Sequence, residues 1–119
     1  MRDIKRMHDR YLQDNAALRM GNLASNLLRL SQWVKKRHRD EAIIDLMREI
    51  AWFLEWNGDL GLAELPDMQR EICRWRRIWP IEQARSILVY RTVQMSERAL
   101  ELSGLLIQAV PEKKPLSTL

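Results

Sequence analysis

The residues of this sequence with the clearest capacity for chemistry lie in the segment CRWRRIWP, residues 73–80, where three arginines and two tryptophans precede a proline. Arginines can contact phosphates while aromatic rings stack on bases, so this alternation is typical of proteins that bind single-stranded nucleic acid. On a helix that turns about 100° per residue, however, Trp75 and Trp79 share the apolar face with Met68 and Ile72. We therefore expect these rings to pack in the core. The outward row is either a solvated face or a strip that contacts phosphates, and it contains Arg70, Arg74 and Arg77.

A second cationic surface is predicted between Asp14 and Asp40, a span without an acid. The core side of this helix is marked by an apolar stripe at helical spacing, namely Met20, Leu23, Ala24, Leu27, Leu30 and Val34. The opposite side contains amides, hydroxyls, cations and one ring, but no carboxylate: Asn22, Ser25, Asn26, Arg29, Gln32, Trp33 and Lys36. Amides and hydroxyls bond to sugar and phosphate oxygens, and cations neutralise their charge. This composition favours a surface for nucleic acid.

Charge is segregated along the chain. Residues 1–39 carry ten Lys or Arg and three Asp, whereas residues 40–67 carry eight acids and one Arg. Such segregation predicts a polyanion on one surface and a basic neighbour on another. The run KKRHR at residues 35–39 extends the cationic surface, although cations at a helix C-terminus also interact favourably with its dipole, which is the alternative explanation. The cations assigned to nucleic acid in this part of the chain are Arg19, Arg29, Lys35, Lys36, Arg37 and Arg39.

Two tryptophans of the acidic segment are predicted to lie on an outer face. In the helix expected over residues 40–56, Trp52 and Trp56 fall opposite the apolar stripe. Large rings on an outer face commonly mark interfaces, so we expect these two to contact another subunit. The alternative is that leucines of the following loop fold over them, namely Leu60, Leu62 and Leu65.

Residue sets typical of enzymes are missing from the sequence. It has no glycine-rich phosphate loop, zinc-protease helix motif, nucleophile elbow or paired-cysteine motif. His8 and His38 lie among Arg and Lys, which is not the setting of a general base oriented by a carboxylate. The acids of the second helix have no accompanying histidine, so we expect a solvated acidic face and not a metal site: Asp45, Glu49 and Glu55. We predict no catalytic residues, no metal and no cofactor.

The elements that position these residues are predicted to be helices. Only four glycines and four prolines interrupt the sequence. We expect a first helical region over residues 3–37, with a break between Asp14 and Gly21. A second helix would be capped by Asp40 and end at residues 56–58. A third helix is expected over residues 66–78 and a fourth over residues 80–110. These segments predict an all-α fold, a four- to five-helix bundle. Residues 1–110 would form one domain, and residues 111–119 a flexible tail.

The composition also suggests a compartment. A lone cysteine, Cys73, allows no internal disulfide, which fits a reducing environment. No run of about 18 apolar residues occurs, and the sequence begins without the apolar stretch of a signal peptide. We therefore expect a cytoplasmic protein without a membrane partner.

A short, basic, all-helical chain with asymmetric charge resembles the small subunit of CRISPR effector complexes, and the resemblance covers the whole chain in size and helical plan. It implies a non-catalytic subunit that stacks in several copies along a filament of guide-binding subunits. Such subunits hold the target or displaced strand, DNA or RNA, through Lys and Arg without sequence readout, and some are translated internally from the large-subunit gene. The strand contacts would then be Arg29, Lys36, Arg70, Arg74 and Arg77, with Trp52 and Trp56 facing neighbouring subunits.

Two other functions remain open at the level of sequence. The chain could be a helical-bundle dimer or adaptor that uses Trp52 and Trp56, with a cationic face that only confers solubility. It could also be a ribonuclease, because Arg2-Asp3 followed by His8 resembles the Arg-polar-x4-His motif of HEPN domains. In that family the motif lies in a late helix, whereas here it lies at the N-terminus.

Overall fold

The computed structural model of the protein describes residues 3–109. Every regular element in this range is helical, so the prediction of an all-α bundle is confirmed. The α-helices of the range are α1 (Ile4–Gln13), α2 (Ala16–Lys35), α3 (Asp40–Trp56), α4 (Glu64–Ile78) and α5 (Arg85–Ala109); short 3₁₀ helices cover Asn57–Leu60 and Glu82–Ala84. None of these helices combines the length and apolar character needed to cross a membrane. The predicted tail, residues 111–119, lies outside the described residues.

The predicted break between the first two helices is present, and side-chain caps explain it. Asn15 precedes α2, and its side-chain oxygen accepts a hydrogen bond from the backbone N–H of Leu18 at 2.8 Å. Asp3 caps α1 in the same way by accepting from the N–H of Arg6 at 3.1 Å. Each cap satisfies a donor that has no partner inside its helix, so α1 and α2 form as separate helices.

The boundaries of the later helices differ from the prediction at four places. The third predicted helix, expected over residues 66–78, begins at Glu64. Asp40 is the first residue of α3 and not its cap. The cap is Arg39, whose backbone oxygen accepts from the N–H of Ile43 at 3.1 Å, and the Asp40 carboxylate accepts instead from Trp79 Nε1 at 3.1 Å. The left-handed residue after α3 is Gly61, with φ 68°, and not Gly58. Pro80 does not begin a helix: Trp79 and Ile81 are extended, and the α-helix starts only at Arg85. The extended backbone allows Trp79 to turn inward, where it is 6% exposed.

Four helices form the bundle, and α1 packs beside it. The most extensive helix pair is α2 with α5, followed by α3 with α4 and α2 with α3. Three hydroxyls along the first pair donate hydrogen bonds to backbone oxygens of the facing helix: Ser31 to Val89, Ser96 to Ala24 and Ser103 to Ala17. The predicted core stripe of α2 is buried in full, together with Leu88, Met95, Ala99 and Leu102 of α5. Together with α1, the described chain measures 60 × 30 × 23 Å.

Charged side chains join α4 to α5. Arg91 forms two hydrogen bonds with the Glu71 carboxylate, both at or below 2.9 Å, and Arg98 does the same with Glu64. These pairs lie along an open cleft of about 330 Å³, whose apolar lining includes Met68 and Met95. The bonds with the arginines hold the pKa of both glutamates below its usual range. The α4–α5 contact therefore combines two ion pairs with the buried side chains of Met68 and Met95.

Candidate nucleic-acid interface

One end of the bundle concentrates cations from segments that are far apart in the sequence. Because the four helices alternate in direction, the end of α2, both ends of the loop to α3, the end of α4 and the start of α5 meet there. Three contacts fix this meeting: Trp79 with Asp40, Arg37 with Glu82 at 2.6 Å, and the Arg85 guanidinium with the backbone oxygen of Val34 at 2.8 Å. We call residues 35–40 and 76–85 the basic end; they contain seven Lys or Arg and two acids.

The loop after α2 is shaped by a Schellman motif, in which a left-handed residue ends the helix. The N–H of His38 donates to the backbone oxygen of Trp33 at 3.0 Å, and the N–H of Arg37 donates to that of Val34 at 3.2 Å. Arg37 takes the left-handed position, with φ 60°, where glycine is usual. A side chain there costs about 1 kcal/mol. The left-handed residue turns the chain back, so that the His38 ring stacks on the Trp33 ring with centroids 5.1 Å apart and an interplanar angle of 13°.

The polar face of α2 leads toward this loop. We call Asn22, Asn26, Arg29, Trp33 and Lys36 the α2 strip; they recur three or four residues apart and so share one helix face. Arg29 donates a hydrogen bond to the side-chain oxygen of Asn26 at 3.2 Å, and Trp33 is partly buried against the core. Arg29 and Lys36 are exposed. Neither has a carboxylate partner among residues 3–109, so their charges are available to an external anion.

The other predicted strand contacts fall into two groups. Those that form no ion pair in the described part of the chain are exposed: Lys35, Arg39, Arg74 and Arg77. Of these, Arg74 lies close enough to Glu71 for its charge to help lower the pKa of that carboxyl. Arg37 and Arg70 are exposed but already paired, with Glu82 and Asp67 respectively. The bond with Arg37 lowers the pKa of Glu82. An anion could compete for these paired cations, but it would have to displace a carboxylate.

Arg19 was predicted to lie on the cationic surface, but this prediction is wrong because the residue is buried. Its side chain is 6% exposed, and its guanidinium forms a two-point ion pair with Asp59 at 3.2 and 3.3 Å. The guanidinium also lies over the ring of Tyr11, 5.9 Å from its centroid. Arg19 therefore links α1 and α2 to the turn after α3, and we leave it out of the interface.

The two predicted cationic rows lie on different sides of the bundle. α2 packs on α3 and α5, and α4 packs on α3 and is joined to α5 by ion pairs, so α2 and α4 occupy diagonal corners. Arg74 and Arg77 of α4 consequently point away from the α2 strip. As predicted, Trp75 packs against the core; its Nε1 also donates to Glu71. The rows approach each other only at the basic end.

The predicted subunit-contact tryptophans are partly covered by α1. The Trp56 ring lies 5.0 Å from the ring of His8 and 5.7 Å from that of Tyr11, and it is stacked 6.2 Å from Trp52. Both tryptophans remain partly exposed. The loop leucines, proposed as an alternative cover, belong to the core: Leu65 is buried, and Leu60 and Leu62 pack against the core cluster. Helical periodicity gave no sign that α1 would reach these rings.

The residues that resembled catalytic or metal sites show no matching arrangement. His8 packs on Trp56, and its Nδ1 lies 3.8 Å from Asp9, a neighbouring carboxylate that the sequence analysis had not counted. Arg2 of the HEPN-like motif lies outside the described residues. Asp45 is paired with Arg48 at 2.8 Å. Within the range that the structure covers, no group of three or more His, Cys, Asp or Glu side chains is placed to hold a metal ion.

Comparisons with protein-family models, curated proteins and solved structures found no match to this chain. The likeness to CRISPR small subunits thus rests on chain size and helical plan, and a function has to be argued from the surface itself.

Proposed function

We propose that this protein is a non-catalytic helical subunit that binds single-stranded nucleic acid through its backbone phosphates. The observation that carries the proposal is the α2 strip with the adjoining loop. There, Arg29, Lys35, Lys36 and Arg39 are exposed and have no carboxylate partner among residues 3–109. A solvated helix face usually mixes both signs of charge, as α3 does with Arg48 and Asp45. A face of cations and amides suits phosphate and sugar oxygens instead.

The arrangement of these groups supports binding without sequence readout. Positions on the strip recur about once per helical turn, or about every 5.4 Å, so they form a track along the helix. Lys and Arg neutralise phosphates whatever the bases are. The basic end continues the track beyond α2, so a strand bound along the strip would meet further cations there.

We also propose that the subunit belongs to a cytoplasmic CRISPR effector complex. In that complex, several copies of the chain would hold the target or displaced strand beside other protein subunits. The support is the combination of small size, helical plan and unpaired cations. The position of the reading frame tests this part: a frame neither inside nor beside a CRISPR large-subunit gene would overturn the assignment while leaving strand binding intact.

Reversing two charges of the α2 strip tests strand binding. The double variant Arg29→Glu with Lys36→Glu is compared with wild type by fluorescence anisotropy, using a labelled oligothymidylate at several salt concentrations. Two lost phosphate contacts should reduce the slope of log affinity against log salt by about 1.4. Between about 50 and 200 mM salt, the wild type would then lose about sevenfold more affinity than the variant.

A matched control changes the same charge on α1, whose cations are not among the predicted strand contacts. Arg6→Glu with Arg10→Glu, both exposed, changes the net charge equally but leaves the α2 strip and the basic end intact. We expect it to weaken binding less than the α2 variant does. Unchanged affinity of the α2 variant at low salt would overturn the proposal, and equal losses in both variants would assign the effect to net charge and not to this surface.

A second candidate function, a helical dimer or adaptor, is favoured by the partly exposed pair Trp52 and Trp56. Because Trp56 also contacts α1, Trp52→Ala is the cleaner change. Sedimentation should show an oligomer that this variant weakens. A monomeric wild type would count against this function.

A further inference from the structure

We propose that the stacked pair Trp33 and His38 is a platform on which one unpaired base of the bound strand stacks. This inference rests on the proposed function and adds to it the kind of nucleic acid that the site selects. The nucleobase would lie on the outer face of the His38 imidazole, while phosphates on either side contact cations of the α2 strip and the loop.

The geometry of the pair suits this role. Trp33 packs against the core on one side, and His38 covers it as an outer layer with an interplanar angle of 13°. His38 is exposed, and within the part of the chain that the structure describes its one ring contact is with Trp33. The imidazole face turned away from Trp33 is therefore open to a ligand.

The Schellman motif holds the platform in place before any strand arrives. The hydrogen bond from the N–H of His38 to the backbone oxygen of Trp33 ties the two residues together at 3.0 Å. The Arg37 side chain is also restrained, because it bonds to Glu82 across the basic end. A ring that is already ordered loses less conformational freedom on binding.

Cations surround the platform at suitable positions. Arg29 precedes Trp33 by four residues and Lys36 follows it by three, so both lie beside the indole on the same helix face. Arg37 and Arg39 flank His38 in the chain. A ring between phosphate-binding groups is the arrangement that proteins use for single strands, because every base offers a flat face whatever its sequence.

The tryptophans of the segment CRWRRIWP do not offer the same exposed ring between cations. Trp75 lies beside Arg74 and Arg77, but its Nε1 donates to the Glu71 carboxylate at 3.3 Å. Trp75 is also partly buried against the core. The outer ring of the Trp33 and His38 pair is exposed instead, and this difference decides between the two aromatic sites.

The test compares strands with and without bases. Affinities for a labelled oligothymidylate and for an abasic strand of equal length are measured with wild type, His38→Ala and His38→Phe. Wild type should prefer the strand with bases. His38→Ala should lower that preference by about fivefold or more, because one stacked base is lost, while the affinity for the abasic strand stays the same. His38→Phe keeps an aromatic ring and should keep the preference.

The outcomes separate the platform from the cationic surface. If His38→Ala weakens both strands equally, or neither, the platform is overturned. In that case, sensitivity of both strands to Arg29→Glu with Lys36→Glu would leave the proposed function standing. If wild type binds neither strand at low salt, both proposals fail. Helix content by circular dichroism confirms that each variant is folded.

Discussion

Replacing Tyr11 with phenylalanine should remove a loss of stability that the wild-type protein shows at high pH. The Tyr11 side chain is 7% exposed; its hydroxyl accepts a hydrogen bond from Asn57 Nδ2 at 2.5 Å and donates to the backbone oxygen of Arg19 at 3.3 Å. Burial disfavours the phenolate and raises the pKa of Tyr11 from 10.0 to about 12, although the bond from Asn57 acts in the opposite direction. The folded state therefore keeps a proton that the unfolded chain has already lost.

The pH window follows from the direction of this shift. Because folding raises the pKa of Tyr11, its contribution to stability is fully present below pH 10 and is lost as the pH rises toward 12. Linkage gives a loss of about 1.4 kcal/mol by pH 11 and about 2.3 kcal/mol by pH 12. Removing the hydroxyl should itself cost about 1 kcal/mol at neutral pH. The free energies of unfolding of wild type and Tyr11→Phe should thus become nearly equal at about pH 11.

Urea unfolding followed by circular dichroism, at neutral pH and at about pH 11, measures both effects. The chain has two tyrosines, so a Tyr90→Phe background leaves Tyr11 as the single phenol. Its ionisation can then be followed directly by the ultraviolet absorbance of tyrosinate. Ionisation of Tyr11 at about pH 10 in the folded protein, or equal losses of stability in wild type and variant, would refute the reasoning.

Three further pairs of substitutions test the local structure by denaturation. Leu27→Ala should lower the free energy of unfolding by about 2–5 kcal/mol, because Leu27 is fully buried. Leu28 is 42% exposed, so Leu28→Ala should lower it by less than about 1 kcal/mol. Similar losses in both variants would contradict the assigned face of α2. Gly61→Ala should destabilise by about 1–2 kcal/mol, because φ is 68° there although nothing lies within 4 Å of the added carbon. Gly58→Ala, without a positive φ, should be neutral or stabilising by about 0.4–1 kcal/mol, and the same sign for both changes would refute the turn. Asn15→Ala removes the cap of α2 and should lower Tm by about 4 °C, whereas Asn15→Asp should not.

The buried faces of the helices could be predicted from the sequence because they depend on local periodicity. Apolar residues at intervals of three or four identify the side of a helix that packs, whichever helix it packs against. The stripe from Met20 to Val34 is buried as predicted, and so are Met68 and Ile72 of α4. The break before α2 was also predictable, since Asn15 needs only its own neighbours to cap the helix.

Contacts between distant segments could not be predicted in this way. Arg19 is buried because Asp59, forty residues later, lies beside it, and Trp56 is covered by an α1 residue, Tyr11. The Asp40 carboxylate accepts a hydrogen bond from Trp79, which is thirty-nine residues away. Helical spacing contains no information on which helices become neighbours, so these pairings become visible only in the fold.

The candidate site was predictable in its charge but not in its shape. The cations of the α2 strip stood out because no acid occurs between Asp14 and Asp40. The stacking of His38 on Trp33 depends on a left-handed residue at Arg37, a position that sequence rules assign to glycine. No glycine or asparagine follows α2 between Lys35 and Asp40, so the sequence offered no local signal for this turn.

The ionic contact between α4 and α5 gives the bundle one wall that differs from the rest. Along this wall, Glu64 and Glu71 meet Arg98 and Arg91 across an open cleft. Partly exposed ion pairs stabilise little and weaken in salt, whereas the α2–α5 and α3–α4 contacts bury apolar side chains. The bundle should therefore open first along this wall, while the α2–α5, α3–α4 and α2–α3 contacts stay intact. Amide hydrogen exchange on the sides of α4 and α5 that line the cleft would then report water entry well before global unfolding.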